Sequence, residues 1–187
     1  MHHRDNSGIV IGGGTGNVPT SPNHVMKTVP LETVLDTWDR HCGLGQEESR
    51  VMMKRFLDEQ PFLGAYLLAC DEQLGAESER SQLIPLVATI WDSLSLTRGR
   101  RLKQVQPRVI DRAEATNQRM LEQLEEVSEI EWKDSVTRLF LGYNQQPLLG
   151  FCIEILMADD EEAPELAPER IGLELIWLKT VIDCLDR

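Results

Sequence analysis

The hexapeptide Gln60-Pro61-Phe62-Leu63-Gly64-Ala65 returns 86 residues later as Gln146-Pro147-Leu148-Leu149-Gly150-Phe151, with four identities in six. At the same offset Ile90-Trp91 matches Ile176-Trp177, so each proline stands 30 residues before a tryptophan. Upstream, Lys54-Arg55-Phe56-Leu57 resembles Arg138-Leu139-Phe140-Leu141, and both closing segments carry an early proline, Pro85 and Pro168. A chain that repeats itself in this way is expected to build one supersecondary unit twice and to bury the apolar face of one copy against the other. The expected unit is a helix, a Gln-Pro turn that opens a buried helix, and a third helix that lays a tryptophan on it. The two copies would form a pseudo-twofold or solenoid-like pair.

The punctuation along the chain predicts helices throughout. Proline suits a first helical turn, where its missing N–H would be unpaired anyway, and glycine suits the residue after the last turn. Leu31, Val34, Leu35 and Trp38 recur at helical spacing after Pro30, until Gly43 and Gly45. A second helix is expected over Gln46 to Glu59, and a third from Pro61 to a stop at Gly75. A fourth runs from about Ser81 to Leu96, with Pro85 either in its first turn or at a kink. A long amphipathic helix follows over 108–129, then one carrying Trp132 to Phe140, one opened by Pro147, and a last one from about Pro168 to Leu185. Aromatic residues make up only 5% of the chain, and no period-two alternation holds for six residues, so no strand is predicted. The expectation is an all-α bundle of seven or eight helices. A single domain over 29–187 would contain repeat-like halves at about 46–97 and 130–187, joined by a basic segment, 98–112, and the 108–129 helix. The Gly-, Asn- and Pro-rich residues 1–28 read as a flexible tail. Gly12-Gly13-Gly14-Thr15-Gly16 follows Ile9-Val10-Ile11, but Pro19 and Pro22 deny it the helix whose N-terminus would hold a phosphate.

Charge and cysteine usage narrow the function classes. A net charge of −12 opposes wholesale contact with nucleic acid or an anionic membrane. Cys42, Cys70, Cys152 and Cys184 form no CxxC pair, and three sit in apolar helical patterns, as buried free thiols of a reducing compartment would. No leader and no membrane-length apolar run is visible, which makes the cytoplasm the expected location.

Candidate sites are sparse. His2 and His3 carry no site argument. His41 is expected at a solvated helix end. Its neighbour Cys42 diverges from it by about 100° on a helix, so the two are not expected to chelate together or to act as base and nucleophile. Glu122-x-x-Glu125 followed by Glu131-x-x-Asp134 resembles the carboxylate pairs with which some all-helical nucleotide pyrophosphohydrolases hold Mg²⁺. Here only five residues separate the pairs, and on one continuous helix they would stand at different heights. Arg98, Arg100, Arg101 and Lys103 open the basic segment and could meet an anion, a nucleic-acid phosphate or the acidic run of residues 159–169. No aromatics interleave them to stack bases. The sequence assigns no catalytic residue and no cofactor. It favours a non-enzymatic helical interaction or scaffold module, meeting a protein partner or a second copy through an apolar stripe or groove between the halves. A Mg²⁺-dependent hydrolase using the 122–134 carboxylates and anion contact through 98–112 are the alternatives.

Overall fold

Val29, fully buried, and Pro30, extended at φ −63° and ψ 142°, lead into the first helix, α1 (Leu31–Cys42). In this computed structural model, which describes residues 27–74, 82–125, 140–158 and 168–187, Pro30 stands just outside α1. Its carbonyl accepts the first helical N–H, from Val34, at 3.2 Å. The helices that follow are α2 (Gln46–Glu59), α3 (Pro61–Leu74), α4 (Leu83–Arg98), α5 (Pro107–Glu125), α6 (Gln146–Leu156) and α7 (Pro168–Leu185). The described residues are thus all-helical, without a strand. The expected flexible tail falls outside them except for Lys27 and Thr28, which are tied to the body of the fold: Thr28 Oγ1 donates to Asn144 O at 3.0 Å. Gly75, most of the segment from Trp132 to Phe140, and the acidic run of 159–167 also lie outside.

Pro85 is the third residue of α4, inside the first turn, and Leu86 makes the first helical bond to Gln82 O at 3.0 Å. No kink follows from it. The helix ends where Gly99 takes the left-handed conformation (φ 59°) that a side chain would resist. Gly64 of α3 and Gly150 of α6 leave room where a Cβ would stand. What fills the space above them is a side chain of the preceding segment, Leu57 over Gly64 and Phe140 over Gly150.

Two helices form the centre. α4 packs on α1, α2 and α7, and α7 packs on α4, α5 and α6. From Leu86 to Ser95 every residue of α4 is buried. Trp91 and Trp177 are both buried, Trp91 fully, meeting Phe56 edge-on at 5.6 Å between ring centres. α1 crosses to α6, where Trp38 meets the edge of Phe151 at 5.4 Å, and α3 meets α5, where Tyr66 OH donates to Glu114 Oε1 at 3.1 Å.

Two buried glutamines tie extended segments to this body. Gln60 Nε2 donates to Lys103 O at 3.1 Å, and its Oε1 accepts Val105 N–H at 2.9 Å. Gln145 repeats the arrangement, with Nε2 to Lys27 O at 3.2 Å and Oε1 accepting Val29 N–H at 3.0 Å. Each amide satisfies the donor and the acceptor that a β-ladder neighbour would otherwise serve. Each holds the stretch that leads into an outer helix, α5 for Gln60 and α1 for Gln145. Arg98 closes the far end, donating to Leu185 O and Arg187 O, both at 2.9 Å, and pairing with Asp186 Oδ1 at 2.6 Å.

Replacing Gln60 by Ala strands a buried N–H and a buried carbonyl together. Its unfolding free energy in urea should fall by about 2–4 kcal/mol, and Gln145→Ala should fall comparably. A loss below about 0.5 kcal/mol in both would mean the clamps contribute nothing net.

Candidate functional site

The C-terminal turn of α1, the Leu44–Gly45 link, α2 and α4 enclose an open cleft of about 400 Å³, lined by Arg40, His41, Leu44, Glu47, Glu48, Val51, Met52, Arg55 and Asp92. The local sequence explains its shape. The chain leaves α1 at Gly43 and enters α2 from the extended Gly45, and Glu48 Oε2 accepts the Gly45 N–H at 2.9 Å, fixing the start of α2 against the turn. α2 then leans over α4 through Phe56 on Trp91, with the Arg55 guanidinium 4.9 Å from the Trp91 ring centre.

Asp92 is the electrostatic centre of the floor. Its Oδ2 accepts Arg40 Nη2 at 3.1 Å and lies 3.3 Å from His41 Nε2. The hydrogen bond from His41 holds the Asp92 carboxyl below the usual carboxylate range against the opposing effect of burial, and the charges of Arg40, His41 and Arg55 add to the lowering. His41 was expected at a solvated helix end. Its side chain is only 8% exposed, because α1 turns this position inward onto α4. Nδ1 lies 3.3 Å from Thr89 Oγ1, whose own hydroxyl donates to Pro85 O at 3.0 Å. The two ring nitrogens of His41 are thus engaged from opposite sides, Nδ1 by the Thr89 hydroxyl oxygen and Nε2 by the Asp92 carboxylate. Cys42 is exposed, pointing away from this arrangement.

The other sequence candidates are dispersed. Arg98 is spent on the C-terminal carbonyls and Asp186, and Arg101 Nε pairs with Glu59 Oε1 at 3.0 Å, so the basic segment binds internal acids. Arg100 and Lys103 are exposed. Glu122 lies exposed on α5; the Glu125 side chain, Glu131 and Asp134 lie outside what is described. Among the described residues no three His, Cys, Asp or Glu side chains gather as metal ligands would, and no helix is long and apolar enough to cross a membrane. Cys70, Cys152 and Cys184 are buried, and burial pushes each thiol up to about 12.

Sequence reasoning missed the cleft because its residues come from three helices. One signal was present: Asp92, an ionisable residue in the middle of a largely apolar helix with Thr89 three residues before it, calls for a polar partner. No family model, curated protein or solved structure matches this chain.

Two measurements follow. Asp92→Asn should cost about 2 kcal/mol at neutral pH through its weakened charged hydrogen bonds. Because the folded carboxyl is the stronger acid, this stabilisation is complete above the unfolded value near 4 and is lost as pH falls through the folded one, so wild type and variant should converge on acidification. A gap that widens below pH ~4 would contradict the arrangement. For the thiols, a disulfide reagent such as DTNB should modify Cys42 alone in the native protein and all four cysteines in denaturant; rapid native labelling of Cys152 would contradict its burial.

Proposed function

We propose that this chain is a non-catalytic helical interaction module that docks a protein partner on the outer face of α3. The observation that carries the reading is the character of α3 itself. From Pro61 to Cys70 α3 carries no charged residue on any side, and a stretch of helix apolar all round is normally covered. Leu63, Gly64, Leu67 and Cys70 of α3 face inward and are buried, yet Phe62 is 40% and Leu68 64% exposed. Ala65 and Ala69 between them are exposed too, and Leu57 of α2, 42% exposed, extends the patch across Gly64. Small residues at the centre and large apolar ones at the edge let a partner helix approach closely and bury the flanks. The surface is an outer helix face rather than the groove between halves that the repeat suggested.

The module reading also carries the duplication, in a revised register. The segments held by the glutamines correspond at an offset of 76 (Lys27 with Lys103, Val29 with Val105), and the glutamines themselves at 85. His41 spans Thr89 and Asp92 as Asn117 spans Thr180 and Asp183, with Asn117 Nδ2 donating at 3.0 and 3.1 Å; this sets α4 against α7 at an offset of 91, not the 86 that aligned the tryptophans. These recurring contacts support descent from one unit in which each copy's glutamine holds the other copy's entry segment.

A Phe62→Asp, Leu68→Asp double variant changes only exposed positions, so its helical circular dichroism and midpoint temperature should stay within a few degrees of wild type. Partners captured from native extract by the wild-type chain should be lost by the variant, measured by quantitative mass spectrometry. Recovery of the same proteins in the same amounts by both would sink the assignment of α3 as the docking face.

A further inference from the structure

His41 and Asn117 are each the eleventh residue of an outer helix, and each bridges a threonine and an aspartate three apart on a central helix. The two frames differ in what lies on the aspartate. Asp183 has a protein donor on each oxygen: Tyr143 OH donates to Oδ1 at 2.7 Å and Lys179 Nζ to Oδ2 at 2.8 Å. The same ammonium sits 4.6 Å from the centre of the Tyr143 ring, so an aromatic hydroxyl fills the space with a cation against its face. Asp92 is left incomplete. Its Oδ2 takes Arg40 and His41, its Oδ1 accepts from no described residue, and it lines the open cleft. Guanidinium groups, those of Arg40 and Arg55, border the cleft, and Leu44, Val51 and Met52 give it apolar walls.

We propose that this cleft binds a phenol, whose hydroxyl donates to Asp92 Oδ1 and whose ring lies among Leu44, Val51 and Met52 against an arginine. The ligand completes in the first frame what Tyr143 supplies in the second. Three features select this class. A carboxylate that still has an acceptor position wants an O–H or N–H donor, and a phenol stays protonated at neutral pH. Arg40 is already paired with Asp92 and Arg55 with Glu59, so neither guanidinium calls for an anionic ligand. A cleft of about 400 Å³ with mostly apolar walls and a few fixed polar groups is of ordinary small-molecule size. The comparison rests on contacts present in both frames, and it is independent of whether α3 docks a protein.

The test is an NMR titration of the full chain with p-cresol, followed at Leu44, Val51 and Met52. Saturable shifts confined to the cleft are expected, with 4-methylanisole, which has the ring but no donor, binding roughly tenfold or more weakly. Val51→Trp fills the cleft from an exposed position, so its circular dichroism should be unchanged while the p-cresol shifts disappear. N-acetyltyrosinamide separates the sources: tighter binding than p-cresol assigns the site to a tyrosine of a partner chain, weaker binding to a free phenol, and either supports the class. Equal affinity for p-cresol and 4-methylanisole, shifts that persist in Val51→Trp, or no saturable shift at all would overturn the proposal.

Discussion

An extended backbone segment inside a helical protein has a specific difficulty: its amides have no helix to satisfy them and no strand beside them. Leu102 and Val105 are buried in such a segment, and so is Val29 in the other. The fully buried side-chain amides of Gln60 and Gln145 resolve it by offering one donor and one acceptor in the geometry of a backbone neighbour. An unsatisfied buried amide costs about 1–3 kcal/mol, so each clamp decides whether the approach to α5 or α1 can be buried at all. The position of the outer helices follows, and with it the side on which His41 and Asn117 face the central pair.

Those two polar residues show how a tightly packed centre tolerates hydrophilic groups. Thr89 and Asp92 lie on the buried stretch of α4, Asp92 at the floor of the cleft, where an unpaired carboxylate would be destabilising. Arg40 supplies the opposite charge and His41 a hydrogen-bond partner from α1; for Asp183, Lys179 supplies the charge and Asn117 and Tyr143 donate hydrogen bonds. Such contacts specify one register between helices whose apolar faces would otherwise slide over each other. The same burial that makes them specific holds the phenol of Tyr143 well above its ordinary pKa, with Asp183 adding to the effect.

Helix boundaries were legible because proline and glycine act through the backbone of their own residue. Gln46 to Glu59 and Pro168 to Leu185 could be read without knowing any tertiary neighbour. The register between the halves was not. Aligning Trp91 with Trp177 treats two large buried side chains as equivalent, but a core accepts any apolar group of suitable volume, and a tryptophan five positions away fits as well. Polar residues such as Thr89 with Thr180 and Asp92 with Asp183 have no such latitude, since each must meet a particular donor. On the proposed duplication, links of unequal length separate the elements and give 76, 85 and 91 in place of one constant shift. His41 was misread for a related reason: the residues that bury it, Thr89 and Asp92, are 48 and 51 positions away.

The asymmetry between the two frames is therefore more informative than their likeness. A second frame closed by its own tyrosine and lysine shows that the arrangement can be completed by protein alone, at no greater distance than a side chain reaches. A first frame that leaves an aspartate oxygen facing an open, largely apolar cleft forgoes that stabilisation. Stability alone favours closing such a site with a side chain, and on the proposed reading a bound phenol fills it instead. Elsewhere on α2 and α3 lies an exposed apolar face, and neither feature is explained by the clamps that hold the rest together.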